Sequence, residues 1–170
     1  MVFRAYLQSF LCRQHLVLGE RFCARYPHPW LVWEPGTWKA PGPSVTVAET
    51  RLPGAALPLR AEGSDALCFE LAPRANGSGT LRIGRGEENE LVLSDDTVSR
   101  EHCIVRVEGD RWFVRASDSV KAFNVADRPV PPGTEAPLAP GQTLVLGNVK
   151  LTFLDAAKFC ARIGKAAAEL

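Results

Sequence analysis

Residues 91–107 read LVLSDDTVSREHCIVRV, two apolar runs separated by a polar stretch that contains Ser99, Arg100 and His102. The flanking runs, ELVL and HCIVRV, are short and rich in Val, Ile and Leu, as half-buried strands are. The polar stretch between them reads either as a turn joining two strands or as an anion site. A guanidinium fork next to a serine hydroxyl suits an oxyanion, because the fork makes paired charge-assisted bonds and the hydroxyl donates another.

The pattern continues in both directions. ALCFELA and TLRIGR precede it, and RWFVRA, AFNV, TLVLG and VKLTFL follow, each bounded by turn residues. This spacing predicts a mostly β fold, an antiparallel sandwich over residues 64–155. Glu108-Gly109-Asp110 and Gly147-Asn148 each join two such runs as hairpin turns. Pro131-Pro132-Gly133 and Pro140-Gly141 mark further turns. After Asp155, a candidate N-cap, residues 156–170 read as a helix with Phe159, Cys160, Ile163 and Ala167 facing inward.

Residues 1–63 differ in character. Over residues 2–25 apolar positions recur at mixed three- and four-residue steps, predicting one or two short amphipathic helices. Residues 26–43, YPHPWLVWEPGTWKAPGP, hold five prolines and three tryptophans, which predicts irregular chain with isolated strands only near residues 45–50 and 57–60. Trp30, Trp33 and Trp38 could form a partner surface or cover an exposed edge of the sandwich. The whole segment is expected to pack on the sandwich, being too short to bury its own core.

Composition narrows the function. Twenty Lys and Arg against nineteen Asp and Glu leave a formal charge of +1, so no global field draws the chain to nucleic acid or lipid, and an anion must be held locally. Arg4, Arg13, Gln14 and His15 interrupt the apolar N-terminus, leaving no run suited to a signal peptide or a membrane span. A cytoplasmic location is expected. The five cysteines are odd in number and widely spaced, which reads as buried thiols rather than a disulfide framework. Without a CxxC or HxxxH pair, no metal or other cofactor is expected. His102 and Cys103 are neighbours on one strand and point to opposite faces, so they form no catalytic dyad, and no enzyme is expected.

Three inter-strand loops hold the unusual residues. Residues 84–90 (GRGEENE) bend around Arg85 between Gly84 and Gly86, residues 94–102 supply Ser99 and Arg100, and residues 117–129 carry Ser119 and Lys121. Loops at one end of a sandwich can converge on a single patch. In this arrangement Gly84, Arg85, Asn89, Glu90, Ser99, Arg100 and His102 resemble the motif of the forkhead-associated (FHA) domain, a phosphothreonine-binding module. LAPGQTLVLG, residues 138–147, is similar to a second family motif, with Gln142 at its acidic position. The resemblance covers about residues 66–155.

The resemblance implies an eleven-stranded sandwich with binding loops at one end and a phosphothreonine-containing partner. Arg85 and Ser99 would hold phosphate oxygens, with Arg100 as an auxiliary. Gly84 would form the tight turn, and Asn89 and His102 would brace the loops from behind. The third loop departs from the family pattern. Ser119 and Val125 match, but Val120 replaces a threonine that seats the phosphorylated residue, and Lys121 replaces an asparagine that reads the peptide backbone. Lysine donates but cannot accept, so it cannot reproduce a two-way amide contact, although it can add positive charge near a phosphate. Two functions fit: a phosphothreonine-docking module, or an FHA-fold scaffold, as in secretion-apparatus relatives, whose peptide site no longer binds.

Overall fold

The computed structural model describes residues 2–35, 65–72, 79–120 and 123–170. The strands expected near residues 45–50 and 57–60, together with Trp38 and Lys121, lie outside the described residues.

Two sheets form the sandwich. The chain opens with β1 (Val2–Leu7), α1 (Gln8–Leu18), α2 (Arg21–Arg25) and β2 (Trp30–Trp33). It continues through β3 (Leu67–Ala72), β4 (Thr80–Gly84), β5 (Leu91–Val92), β6 (Cys103–Glu108) and β7 (Arg111–Ala116). Then come β8 (Phe123–Val125), β9 (Arg128–Pro129), β10 (Glu135–Leu138), β11 (Thr143–Leu146), β12 (Val149–Leu154) and α3 (Ala156–Ala168). One sheet runs β1-β3-β2-β12-β11-β8-β9 and the other β10-β7-β6-β4-β5. All pairs are antiparallel except β4 with β5, where Ile83 faces Leu91 in parallel register. The described residues thus contain twelve strands, against the eleven implied by the resemblance.

The inner faces interdigitate as period-two strands require. Leu81 and Ile83 of β4, Val105 of β6, Val114 of β7, Leu144 and Leu146 of β11, and Val149, Leu151 and Phe153 of β12 share one core. Both expected hairpin turns are present, with Gly109 and Gly147 at positive φ. The C-terminal helix matches its expectation closely. The Asp155 carboxylate accepts the Lys158 N–H at 2.7 Å as an N-cap, and Phe159, Cys160, Ile163 and Ala167 are buried.

The N-terminal half differs from its expectation. Residues 2–7 are a strand rather than part of a helix, paired with β3 from Val2↔Ala72 to Leu7↔Leu67. The WLVW run is no irregular segment. As β2 it lies between β3 and β12, fully inside the sheet. Leu31 and Trp33 enter the inter-sheet core, while Trp30 and Val32 face the other way, beneath the helices. Trp30 and Trp33 therefore neither offer a partner surface nor cap an edge. Trp30 is wholly buried and stacks on Phe159 of α3, with ring centroids 4.0 Å apart and planes within 8°. Strands β1 and β2 are hydrogen-bonded into the seven-stranded sheet of the sandwich, with α1 and α2 lying between them in the chain.

The three helices form a third layer over the outer face of β1, β3, β2 and the end of β12, closing a second core that includes Tyr6, Leu11, Phe22, Cys68 and Ile163. Arg162 of α3 fastens this layer. Its guanidinium makes two bonds to the Glu34 carboxylate, at 2.8 and 2.9 Å, and a third to Gln8 of α1 at 2.8 Å. Not all five cysteines are free thiols. Cys23 of α2 and Cys160 of α3 are joined as a disulfide, Cα atoms 5.8 Å apart, and Cys12, Cys68 and Cys103 are free and buried. The pairing spans 137 residues of sequence, and only folding reveals it.

Candidate functional site

The site begins where β4 ends. Gly84 must lack a side chain: a Cβ there would run into the Arg100 carbonyl oxygen and come within 2.8 Å of the Asn89 Nδ2. This close approach lets the first loop lie along the second. The Arg85 N–H donates to the Ser99 carbonyl at 2.9 Å, and the Gly86 N–H to the Arg100 carbonyl at 2.9 Å. Asn89 locks the pair from inside, its Nδ2 donating to the Gly86 carbonyl at 2.7 Å and the Arg100 carbonyl at 2.6 Å. Asn89 is only 7% exposed, so these bonds compete little with water. Glu90, next in sequence, turns outward and clamps Arg82 by its backbone N–H at 2.8 Å and by its guanidinium. The Arg82 hydrogen bonds hold the Glu90 carboxyl below its ordinary range, against a smaller opposing effect of burial.

His102 ties in the third loop. It is 2% exposed and packs edge-on against Phe123, centroids 5.8 Å apart. Its Nδ1 accepts the Ser99 N–H at 3.0 Å, its own N–H donates to the Ile83 carbonyl at 2.9 Å, and its carbonyl accepts the Ser117 N–H at 3.0 Å. One buried residue therefore bonds to β4 and to the second and third loops. An Nδ1 that accepts places the ring proton on Nε2 in the neutral ring.

The polar groups brought to this end differ in how free they are. Arg85 is exposed; its Nε donates to the Val98 carbonyl at 3.2 Å, and no carboxylate among the described residues is within ion-pair distance. Ser99 is half-buried beside it. Arg100 is 75% exposed and only loosely engaged, with its Nη2 3.8 Å from the Glu88 carboxylate. On the third loop the Ser119 and Ser117 hydroxyls lie 3.4 Å apart, while Val120 is 3% exposed and fills the core. Arg85, Ser99, Arg100 and Ser119 thus occupy loops that Gly84, Asn89 and His102 bind together. Among the described residues no group of three His, Cys, Asp or Glu is placed to hold a metal ion. No described helix is long and apolar enough to cross a membrane.

One participant escaped the sequence reading. Thr97 joins the second loop to the β11–β12 turn, its Oγ1 accepting the Asn148 N–H at 2.8 Å. Gly147, at φ +61°, lies directly against the Thr97 carbonyl and hydroxyl oxygens, where a Cβ would collide. The Gly-Asn pair was legible as a turn, but nothing local shows that the turn touches a loop fifty residues away.

The sandwich, the clasped Gly-Arg and Ser-Arg-x-His loops and the buried histidine are the arrangement that the FHA resemblance implied. A family model described as the cytoplasmic domain of the inner membrane component of the T3SS, itself of FHA type, matches residues 74–157. Among curated proteins the chain is 32% identical over 101 residues to the glycogen accumulation regulator GarA of Mycolicibacterium smegmatis, covering 56% of this chain and 62% of that protein. It is 29% identical over 102 residues to the oxoglutarate dehydrogenase inhibitor of Corynebacterium jeikeium, covering 57% and 69%. A solved FHA domain from a study of phosphothreonine-dependent FHA interactions shares 20% identity at a TM-score of 0.46, over 74% of this chain and 95% of that one. The chain spans about three fifths of the length of the first curated relative.

Proposed function

We propose that the protein docks phosphothreonine-containing segments of a partner protein on the loops at this end of the sandwich. The Arg85 fork and the Ser99 hydroxyl hold phosphate oxygens, and Arg100 joins them on leaving its loose contact with Glu88. Ser119 and Lys121 border the bound residue, Lys121 by its place in the sequence alone. The carrying observation is the state of Arg85: exposed, steadied at one edge by the Val98 carbonyl, and unclaimed by any carboxylate among the described residues. It lies beside Ser99, to whose carbonyl its own backbone is bonded.

His102 supports a binding module rather than an enzyme. It is buried, and its Nδ1 is engaged with the Ser99 amide, which suits a brace and not a general base. A kinase-regulated partner in the cytoplasm belongs to the same reading, and neither nucleic acid nor membrane has a part in it.

The test is a threonine-phosphorylated peptide library measured against its unphosphorylated twin, with Arg85→Ala alongside. The expected result is a clear preference for the phosphorylated member. Arg85→Ala should weaken it by about ten- to a hundredfold, the range for hydrogen bonds to a charged group. No difference between the twins would favour the scaffold reading, in which the loops keep their shape but bind no phosphate.

A further inference from the structure

We infer that Thr97 is a positioning residue for the phosphate-holding loop and that the β11–β12 turn acts through it as a support that never touches the ligand. This rests on the reading of Arg85 and Ser99 given above. Thr97 lies one residue before Val98, whose carbonyl steadies Arg85, and two before Ser99. On its own loop Thr97 is fixed by Asp95, whose carboxylate accepts both its N–H at 2.9 Å and its hydroxyl proton. Across the fold, the remaining acceptor capacity of that hydroxyl takes the Asn148 N–H at 2.8 Å. Gly147 permits this contact, because any side chain there would strike the Thr97 carbonyl and hydroxyl.

The preceding part of the loop is anchored at its ends by Leu93 and Val98, both buried in the core, with the Leu93 N–H donating to the Gly84 carbonyl at 2.9 Å. Ser94, Asp96 and Thr97 are all exposed, so the Asp95 bonds order the turn internally but do not dock it. Between the buried Leu93 and Val98, the exposed stretch is docked to the β11–β12 turn by the Thr97–Asn148 bond and the close approach at Gly147. A loop already docked forfeits less freedom when the phosphate arrives, which is the general source of affinity in preorganised sites. Asn89 and His102 fix the later part of the loop, and Thr97 fixes the part before it.

The test compares Thr97→Val, which removes the hydroxyl but keeps the β-branched shape, with Thr97→Ser, which keeps the hydroxyl. Two readouts are taken on the full chain: phosphopeptide affinity beside the melting temperature, and exchange of the Ser99 amide without ligand. Thr97→Val is expected to weaken phosphopeptide binding about three- to tenfold, the cost of ordering one or two side chains anew. Its melting temperature should move little and its Ser99 amide should exchange faster, while Thr97→Ser stays near wild type in both. Gly147→Ala should weaken binding from the other side, and combining it with Thr97→Val should cost less than the product of the two losses. Unchanged affinity and exchange in Thr97→Val, with wild type still preferring phosphopeptide, would overturn the inference alone. Equal losses in the Ser and Val variants would overturn it too. If wild type shows no phosphate preference, the proposed function fails and the positioning role with it, even where faster exchange shows that the latch itself exists.

Discussion

The Nδ1 of His102 accepts the backbone N–H of Ser99 at 3.0 Å, so a buried ring sets the height of the residue proposed to meet the phosphate. His102→Ala leaves that N–H unpaired and opens a cavity beside Phe123. The expected cost is about 2–4 kcal/mol in urea denaturation, with loss of phosphopeptide binding. Arg85→Ala should lose binding with stability nearly unchanged, since Arg85 is exposed and makes one side-chain bond to a carbonyl. The two variants separate the brace from the ligand.

The β8–β9 turn holds Ala126 and Asp127 at φ 48° and 63°, both left-handed. A two-residue hairpin of this kind favours Asn-Gly, and L residues with a Cβ pay for the conformation. The double variant A126N/D127G is expected to stabilise the fold by about 1 kcal/mol, read as a raised urea midpoint at an unchanged slope.

The Cys23–Cys160 disulfide joins α2 to α3 across most of the chain. Reduction should lower stability by about 2–4 kcal/mol, chiefly by freeing the unfolded chain. A Cys23→Ser protein should melt at the same temperature with or without reductant. Cys68 and Cys103 are fully buried, and burial pushes both thiols well up, so neither should react quickly with a thiol reagent in the folded protein. After reduction, the exposed Cys23 should react first.

Glu34 connects the helical layer to pH. Burial pushes its carboxyl up, but hydrogen bonds from Arg162 and Thr152 together with the Arg162 charge outweigh that and hold it below its ordinary value. With the folded value depressed, the unfolded chain binds the proton more readily. The stabilisation is therefore complete above the ordinary carboxylate range and is lost as pH falls through the folded value. Glu34→Gln should flatten this acid limb of stability. It should cost roughly 1–3 kcal/mol near neutrality, where Arg162 loses its charged partner.

Local chemistry was legible where it is short-range. The Asp155 cap, the inward face of α3 and the Gly109 and Gly147 turns each depend on residues within a few positions, and each stands as read. Gly84, Arg85, Asn89, Ser99 and His102 were legible as a spaced motif. Their bonds, from Asn89 to the Arg100 carbonyl and from His102 to the Ser99 amide, show what the spacing accomplishes. The N-terminal half was misread for a physical reason. Strand periodicity shows only when one face meets water, and β2 is covered by the opposing sheet on one face and by helices on the other. Its four residues are therefore all apolar and show no alternation. In β1 the contrast was equally weak, because Tyr6 is buried under the helices while Ala5 and Leu7 pack against the inter-sheet core.

The sequence by itself determined the sandwich from residue 66 onward, its hairpins, the C-terminal helix and the residues of the loops proposed to hold phosphate, since each is written in spacing along the chain. Only the tertiary structure decided that β1 and β2 complete the sheet, that Cys23 meets Cys160, and that Thr97 rests on Gly147. Those three facts join segments remote in sequence, and such contacts depend on which buried faces the whole fold brings together rather than on any local pattern.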